Sequence, residues 1–204
     1  MEVDEILNYL DELFLNPKCE LDYTKDYELL IATVLSAQCT DKRVNEVTKV
    51  LFQKYDIYSL AKEDLKQIEK IIYPVGTYTK KAKFIKNIAQ RLVEDFNGIV
   101  PNNRIYLESL PGVGRKTCNV VLANLFNVPA IAVDTHVARV AKRLNIAKEK
   151  DSVDKIEKKL MKFFPKDKWS KVHHQLVLFG RYHCKSIKPN CLNCKLASKC
   201  KFKK

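Results

Sequence analysis

Apolar residues recur every three or four positions along most of the chain, a spacing that is typical of amphipathic helices. The clearest stripes comprise these groups: Ile6, Leu7, Leu10, Leu13 and Phe14; Leu29, Leu30, Val34 and Leu35; Val44, Val47 and Leu51; Leu65, Ile68 and Ile72; Ala82, Ile85, Ala89, Leu92 and Phe96; Val153, Ile156, Leu160 and Phe163. Further helices are expected near 103–109, from Arg115, from Thr135 and over 169–182. No long alternating strand pattern occurs. We predict an all-α fold of about ten helices joined by short loops.

Residues that favour helix ends divide these stripes. Thr40 and Ser152 have the side chains that cap a helix N-terminus, and Gly98 is placed to end the fifth helix. The second helix is expected to run to about Gln38.

Composition adds a basic surface to this helical core. The chain has 204 residues, is 46% hydrophobic and carries a net charge of +13. Such an excess favours nucleic acid or an anionic membrane as the partner, although a lysine-rich composition can also simply solvate a surface. The start of the chain is acidic, without a signal peptide, and no apolar run approaches the roughly 18 residues of a membrane span. We therefore expect no membrane association and a cytoplasmic location.

Four cysteines near the end of the chain follow the pattern C-x6-C-x2-C-x5-C: Cys184, Cys191, Cys194 and Cys200. The loops between them are short enough for all four thiolates to face one centre, and four thiolates suit zinc or an iron–sulfur cluster equally. The same segment is rich in cations: Lys185, Lys188, Lys195, Lys199, Lys201, Lys203 and Lys204. The pairing indicates a protein that holds a polyanion. Cys19, Cys39 and Cys118 are interpreted as core residues.

A glycine-containing hairpin is predicted between two helices at Leu110-Pro111-Gly112-Val113-Gly114-Arg115-Lys116-Thr117. Gly112 and Gly114 permit positive φ and close backbone approach. Successive N–H groups beside a helix N-terminus favour a phosphate oxygen. A nucleotide-binding P-loop does not fit, because Arg115 separates Gly114 from Lys116 and no strand precedes. A plain helix–helix turn remains the alternative.

Two charged residues lie at predicted helix starts. Lys116 is disfavoured there, and a destabilised ammonium is a better nucleophile; a solvated lysine or a phosphate contact is the alternative. Asp134 follows the apolar run Ala130–Val133 and is expected to cap the helix that begins at Thr135. A carboxylate held there can stabilise positive charge at a reacting sugar carbon.

In this order, the motifs resemble those of the endonuclease III family of DNA glycosylases, within the helix-hairpin-helix superfamily. The resemblance rests on these segments: Leu35-Ser36-Ala37-Gln38-Cys39-Thr40-Asp41, the hairpin with Lys116, Val133-Asp134-Thr135-His136, His173-His174, Gly180-Arg181-Tyr182 and the cysteine pattern. It implies that Lys116 is the nucleophile, that Asp134 is the catalytic aspartate and that the four cysteines hold a [4Fe–4S] cluster.

The resemblance also implies a set of DNA contacts. Gln38 would fill the gap left by an extruded base, and Asp41 would line the damaged-base side of the site. The other implied contacts are Gly112, Gly114, Arg115, His136 and Lys195. One position departs from the family pattern: Thr77 stands after Gly76, where a bulky apolar wedge is common, so Tyr78 or another residue would have to serve.

The implied architecture has two helical parts around a central cleft. Residues 20–129 would form a six-helix domain with the helix-hairpin-helix at about 103–126, and residues 1–19 with 130–204 the cluster-bearing domain. The implied activity is that of a monomeric glycosylase and abasic-site lyase that excises oxidised pyrimidines from double-stranded DNA. The alternatives are a mismatch or alkylated-base glycosylase of the same fold and a non-catalytic DNA-binding iron–sulfur protein.

Overall fold

A computed structural model describes residues 2–202; Met1 and two of the lysines counted above, Lys203 and Lys204, lie outside the described residues. Throughout the described part of the chain the regular structure is helical, which confirms the all-α prediction. The α-helices are α1 Val3–Leu13, α2 Asp26–Leu35, α3 Asp41–Lys54, α4 Ile57–Lys62, α5 Leu65–Ile72, α6 Tyr78–Phe96, α7 Arg104–Ser109, α8 Arg115–Phe126, α9 Thr135–Arg143, α10 Val153–Phe163 and α11 Trp169–Leu178. None of them is long and apolar enough to cross a membrane.

The chain divides into two compact units, which we call the hairpin unit and the cysteine unit. The hairpin unit is Cys19–Phe126, and the cysteine unit joins Met1–Lys18 to Asn127–Lys204. The domain limits inferred from the sequence stay a prediction.

The hairpin unit is built around α2. Leu29, Leu30 and Ile31 have no exposed surface, and α2 packs against α3, α6 and α8. The unit contains seven α-helices rather than the six expected. The sequence reading missed α4, whose six residues are too short to show a helical repeat. Its start is capped by the Asp56 carboxylate, which accepts a hydrogen bond from Ser59 N at 2.7 Å.

The cysteine unit has its own core. Apolar side chains of α1, α9, α10 and α11 pack together with Leu196. Leu196 belongs to residues 184–200, which contain the four C-terminal cysteines and are called the cysteine segment below. Cys184 and Cys194 lie against this core, so the cysteine segment is anchored by packing on one side.

Most helix ends occur where the capping residues predicted them. Thr40 Oγ1 accepts from Arg43 N at 3.3 Å, and Ser152 Oγ accepts from Lys155 N at 3.4 Å. The second helix, however, ends at Leu35 and does not reach Gln38, whose φ is 56°. The prediction of one helix over 169–182 was also too simple, because α11 gives way to a π-type turn at Phe179–His183.

Candidate active site and cysteine segment

The hairpin places Gly112 where no larger residue fits. Its φ is +78°, and a Cβ built there would meet Phe84 Cδ2 of α6 at 2.5 Å. The turn is closed by Val113 N, which donates to Leu110 O at 3.1 Å. Gly114 differs from the prediction: its φ is not positive, and a Cβ would meet nothing within 4 Å. Only Gly112 is therefore required by the fold of the turn.

The two glycines allow the phosphate-binding role of the hairpin to be tested. Gly112→Ala should lower thermal stability by about 1 kcal/mol or more, since it combines strain with a clash. Gly114→Ala should leave the melting temperature nearly unchanged. If phosphate approaches the backbone here, Gly114→Ala weakens duplex DNA binding about equally for damaged and undamaged DNA in isotherms. Unchanged affinity in the folded Gly114→Ala protein would contradict that role.

Lys116 is the second residue of α8 and is exposed. The helix is fixed beneath it by the buried residues Thr117 and Cys118, and Cys118 N donates to Gly114 O at 2.9 Å. The first turn of α8 contains no acidic residue to offset the two adjacent cations Arg115 and Lys116. The Lys116 amine thus projects to solvent from a rigid turn at the positive end of a helix, where a cation is disfavoured.

Asp134 caps α9 as predicted. Its carboxylate accepts from Val137 N at 2.8 Å and is half-buried. Ile131 and Val133, just before it, are buried in the core of the cysteine unit. The hydrogen bond and the buried residues before it hold the carboxylate at one place at the start of α9.

Arg139 was not predicted from the sequence. It links α9 to the chain just before and at the start of the cysteine segment. Its guanidinium donates to His136 Nδ1 at 3.2 Å, to Gly180 O at 2.7 Å and to Cys184 O at 3.2 Å. Gly180 leaves no room for a side chain, because a Cβ would lie 2.7 Å from His136 Cβ. His136 is therefore positioned by Arg139 and Gly180 in the first turn of α9, the helix that Asp134 caps.

The predicted base-site residues lie in two loops of the hairpin unit. Gln38 is exposed at φ 56°, and Asp41 is the first residue of α3. In the second loop, Gly76 and Thr77 both have positive φ, at 67° and 43°. Tyr78 does not project freely, because its ring packs 4.9 Å from that of Tyr73.

The four C-terminal cysteines line one cavity of about 40 Å³. A single water needs roughly 10–15 Å³, so the cavity has room for more than one water-sized group. Within residues 2–202, no three His, Cys, Asp or Glu side chains are placed to hold a metal ion. A zinc site would need its sulfurs about 2.3 Å from a single ion.

Arg143 lines this cavity and directs hydrogen-bond donors at its edge. Its guanidinium donates to Cys184 Sγ at 3.3 Å and to Lys185 O at 2.7 Å, and it stacks 3.8 Å from the centre of the Phe202 ring. Burial raises the pKa of the Cys194 and Cys200 thiols. A bound metal centre would have to displace those protons, because thiolates are the ligands.

The other cysteines match the core interpretation only in part. Cys118 is fully buried, and burial raises the pKa of its thiol to about 11, so it is an unreactive core residue. Cys19 and Cys39 are only partly buried, which corrects the interpretation for these two.

Lys195 is exposed but not unpaired. Its Nζ lies 2.5 Å from Glu12 Oε2 of α1 and 6.0 Å from the centre of the Tyr9 ring. Both groups of this ion pair are half or more exposed, so the pair contributes little to stability. A phosphate could replace Glu12 at small cost.

Lys195→Glu is expected to weaken binding to damaged and undamaged duplexes alike, and Lys195→Gln to do so by less. The salt dependence should lose about 0.9 log unit per log unit of salt if one phosphate contact is removed. Binding isotherms at several salt concentrations measure this slope. A loss confined to turnover, with an unchanged slope, would contradict a phosphate contact.

Comparison with known proteins gives one consistent family. The model of the HhH-GPD superfamily base excision DNA repair proteins matches residues 31–166. Endonuclease III of Bacillus subtilis is 49% identical over 204 residues, covering 98% of this chain and 92% of the relative. Two solved structures are similar over 98% of this chain and 96% of theirs: a trapped endonuclease III–DNA covalent intermediate, with TM-score 0.92 and 48% identity, and a non-covalent endonuclease III–DNA complex, with TM-score 0.94 and 47% identity.

Proposed function

Because this chain belongs to the endonuclease III family of base excision DNA repair enzymes, we propose that it is a bifunctional glycosylase and abasic-site lyase acting on oxidised pyrimidines in duplex DNA. The observation that carries the proposal is Lys116: an exposed amine fixed at the start of the helix that follows the hairpin. A purely hydrolytic glycosylase needs no such amine. The relative solved as a covalent intermediate with DNA adds support from the same family.

Binding begins on the phosphate backbone. The hairpin and the lysines of the cysteine segment carry positive charge and N–H donors that suit phosphate oxygens. The damaged nucleotide is then turned out of the stack, at a cost of a few kcal/mol that lesions reduce. Gln38 fills the space that the base leaves. Arg115 directly precedes Lys116, and His136 lies two residues after Asp134; each is proposed to contact the backbone flanking the extruded nucleotide.

Lys116 carries out both chemical steps. Its amine forms a bond to C1′ of the sugar as the bond from C1′ to the base breaks, and the base leaves with a proton. The sugar ring opens to give a Schiff base on Lys116. The imine acidifies the C2′ proton, and loss of that proton expels the 3′ phosphate by β-elimination. A water nucleophile would give no imine, which is why an amine is needed for strand cleavage.

Asp134 supplies the fixed negative charge. As the base leaves, positive charge develops at C1′ and on the ring oxygen, and a carboxylate fixed at a helix N-terminus stabilises that charge. One oxygen is held by Val137 N, so the carboxylate needs no reorganisation at the moment of reaction. Such preorganised charge contributes about 10²–10³-fold in rate.

The cysteine cavity is proposed to hold a [4Fe–4S] cluster through Cys184, Cys191, Cys194 and Cys200. All four thiols line this one cavity, and the resemblance to the endonuclease III family supports a cluster over zinc. When bound, the cluster supplies covalent cross-linking of a segment with little regular structure. The lysines of that segment are then held in position to contact DNA. Because the DNA of a prokaryotic cell lies in the cytoplasm, a cytoplasmic location is part of the proposal.

Cys194→Ser should remove this cross-link. We expect poorly soluble protein with far less than four irons per chain and a lowered melting temperature. Iron analysis and the yellow-brown absorbance of the purified wild type measure the cluster directly. Cys118→Ser is the matched control and should keep full iron content. A colourless, fully active wild type that holds one zinc would contradict the cluster.

Lesion choice is tested by comparing substrates. Single-turnover excision should be fast on a duplex containing thymine glycol and slow on duplexes with a mismatched thymine or an alkylated purine. The reverse order would favour the alternative glycosylase classes, and binding without any excision would favour a DNA-binding module.

A further inference from the structure

Lys81 of α6 is a buried lysine whose ammonium group donates all of its hydrogen bonds within the protein. It is 4% exposed. Its Nζ donates to Leu35 O at 2.9 Å, to Ala37 O at 2.8 Å and to Val75 O at 2.8 Å. A lysine has three N–H donors, and each has a carbonyl here.

These three carbonyls belong to two separate loops. Leu35 and Ala37 lie at the end of α2, immediately before Gln38, whereas Val75 lies just before Gly76 and Thr77. One nitrogen therefore holds the two loops that contain the proposed gap-filling residue and the residue at the wedge position.

Both loops contain strained backbone. The non-glycine residues with positive φ in the described chain are Gln38, Thr77, Lys188 and three asparagines. Asparagine adopts this conformation readily, whereas a β-branched residue such as Thr77 is a marked outlier. Strain of this kind persists only where the surroundings enforce it, and it occurs mainly at functional sites.

Burying the Lys81 ammonium costs free energy, so its three hydrogen bonds are a poor way to stabilise the fold. Burial lowers the pKa of Lys81, because the buried ammonium is disfavoured and its hydrogen-bond partners are neutral carbonyls. An apolar side chain without the buried charge is often equally stable or more so. A role in arranging the loops accounts for the lysine better than stability does.

We propose that Lys81 is a positioning residue that sets Gln38 and Thr77 at a fixed separation, ready to enter the duplex where the base is extruded. This rests on the proposed function, which assigns Gln38 to the extrusion step, and Thr77 is included because it stands at the wedge position of the second loop. Because the loops are already ordered in the free protein, the free energy of DNA binding is not reduced by the cost of ordering them. Lys81 acts through the loops and touches neither the sugar nor the base.

Lys81→Met tests the proposal because it keeps the length of the side chain and removes the donors. Single-turnover base excision on a thymine-glycol duplex should fall by about 100-fold, as expected for a misplaced loop. β-Elimination on a duplex with a preformed abasic site should change by less than about threefold, since no base has to be unstacked. Lys83→Met, an exposed lysine on the same helix, is the matched control and should leave both rates nearly unchanged.

Equal losses of excision and β-elimination in folded Lys81→Met would overturn the proposal, as would unchanged excision. If Lys81→Met does not fold, Lys81→Arg in a double-mutant cycle with Gln38→Ala decides. Coupling of at least about fivefold is expected, because both changes remove the same preset arrangement; additivity would overturn the proposal. A wild type without β-elimination would instead contradict the proposed function, so the two failures are distinct.

Discussion

Lys116→Gln is expected to bind abasic and damaged duplexes with nearly wild-type affinity and to cleave neither. The variant removes the amine that forms the bond to C1′, so the Schiff base and β-elimination are both lost. A drop on the order of 10⁴-fold or more in single-turnover rate is typical when a nucleophile is removed. Binding should persist, because the phosphate contacts are proposed to lie on the hairpin and the cysteine segment. Denaturing gels and binding isotherms measure the two properties separately.

Lys83→Gln provides the control, since it removes an equal charge from an exposed position of the hairpin unit. It should retain full cleavage. Appreciable strand cleavage by Lys116→Gln would show that another amine is the nucleophile, and an equal loss of binding and cleavage would reduce Lys116 to a phosphate contact.

Asp134→Asn should likewise lower the rate of the chemical step while leaving binding intact. Asparagine is as good a helix cap as aspartate, so the bond to Val137 N can be kept and α9 should stay folded. The charge that stabilises the reacting sugar is lost, which should lower turnover by about 10²–10³-fold. Affinity for abasic DNA should hold or rise, because one anion facing a polyanion has been removed.

The matched control is Asp56→Asn, which changes a carboxylate that caps α4 by the same type of bond. It should affect neither turnover nor binding. If Asp134→Asn lost binding or melted at a much lower temperature than Asp56→Asn, the aspartate would be a cap and nothing more.

The helical stripes predicted most of the fold because amphipathic helices of three or more turns repeat their apolar positions often enough to be recognised. The α4 helix was missed, since six residues give too few repeats. The end of α2 was placed too late for a different reason. Ala37 and Gln38 are compatible with a helix, and the turn that follows Leu35 depends on Lys81, which is 46 residues away from Leu35 in sequence.

In the candidate site, too, some features follow from local sequence and others depend on residues far away in the chain. Asp134 as a cap and Lys116 at a helix start follow from local sequence. The need for Gly112 depends on Phe84, and that for Gly180 on His136, so neither close contact could be inferred from spacing. A signal for Lys81 was present: it lies four residues before Ile85, on the buried stripe of α6. A lysine on an apolar stripe has to find partners, and only the structure identifies them.

Borohydride trapping followed by peptide mapping tests most directly whether Lys116 forms the covalent bond to DNA. Reduction of the reaction on abasic duplex should give a stable protein–DNA adduct. Modification of Lys116 blocks trypsin there, so the DNA-linked fragment should be residues 116–139, between Arg115 and Arg139. An adduct on any other lysine, or no adduct from protein that cleaves the strand, would contradict the account.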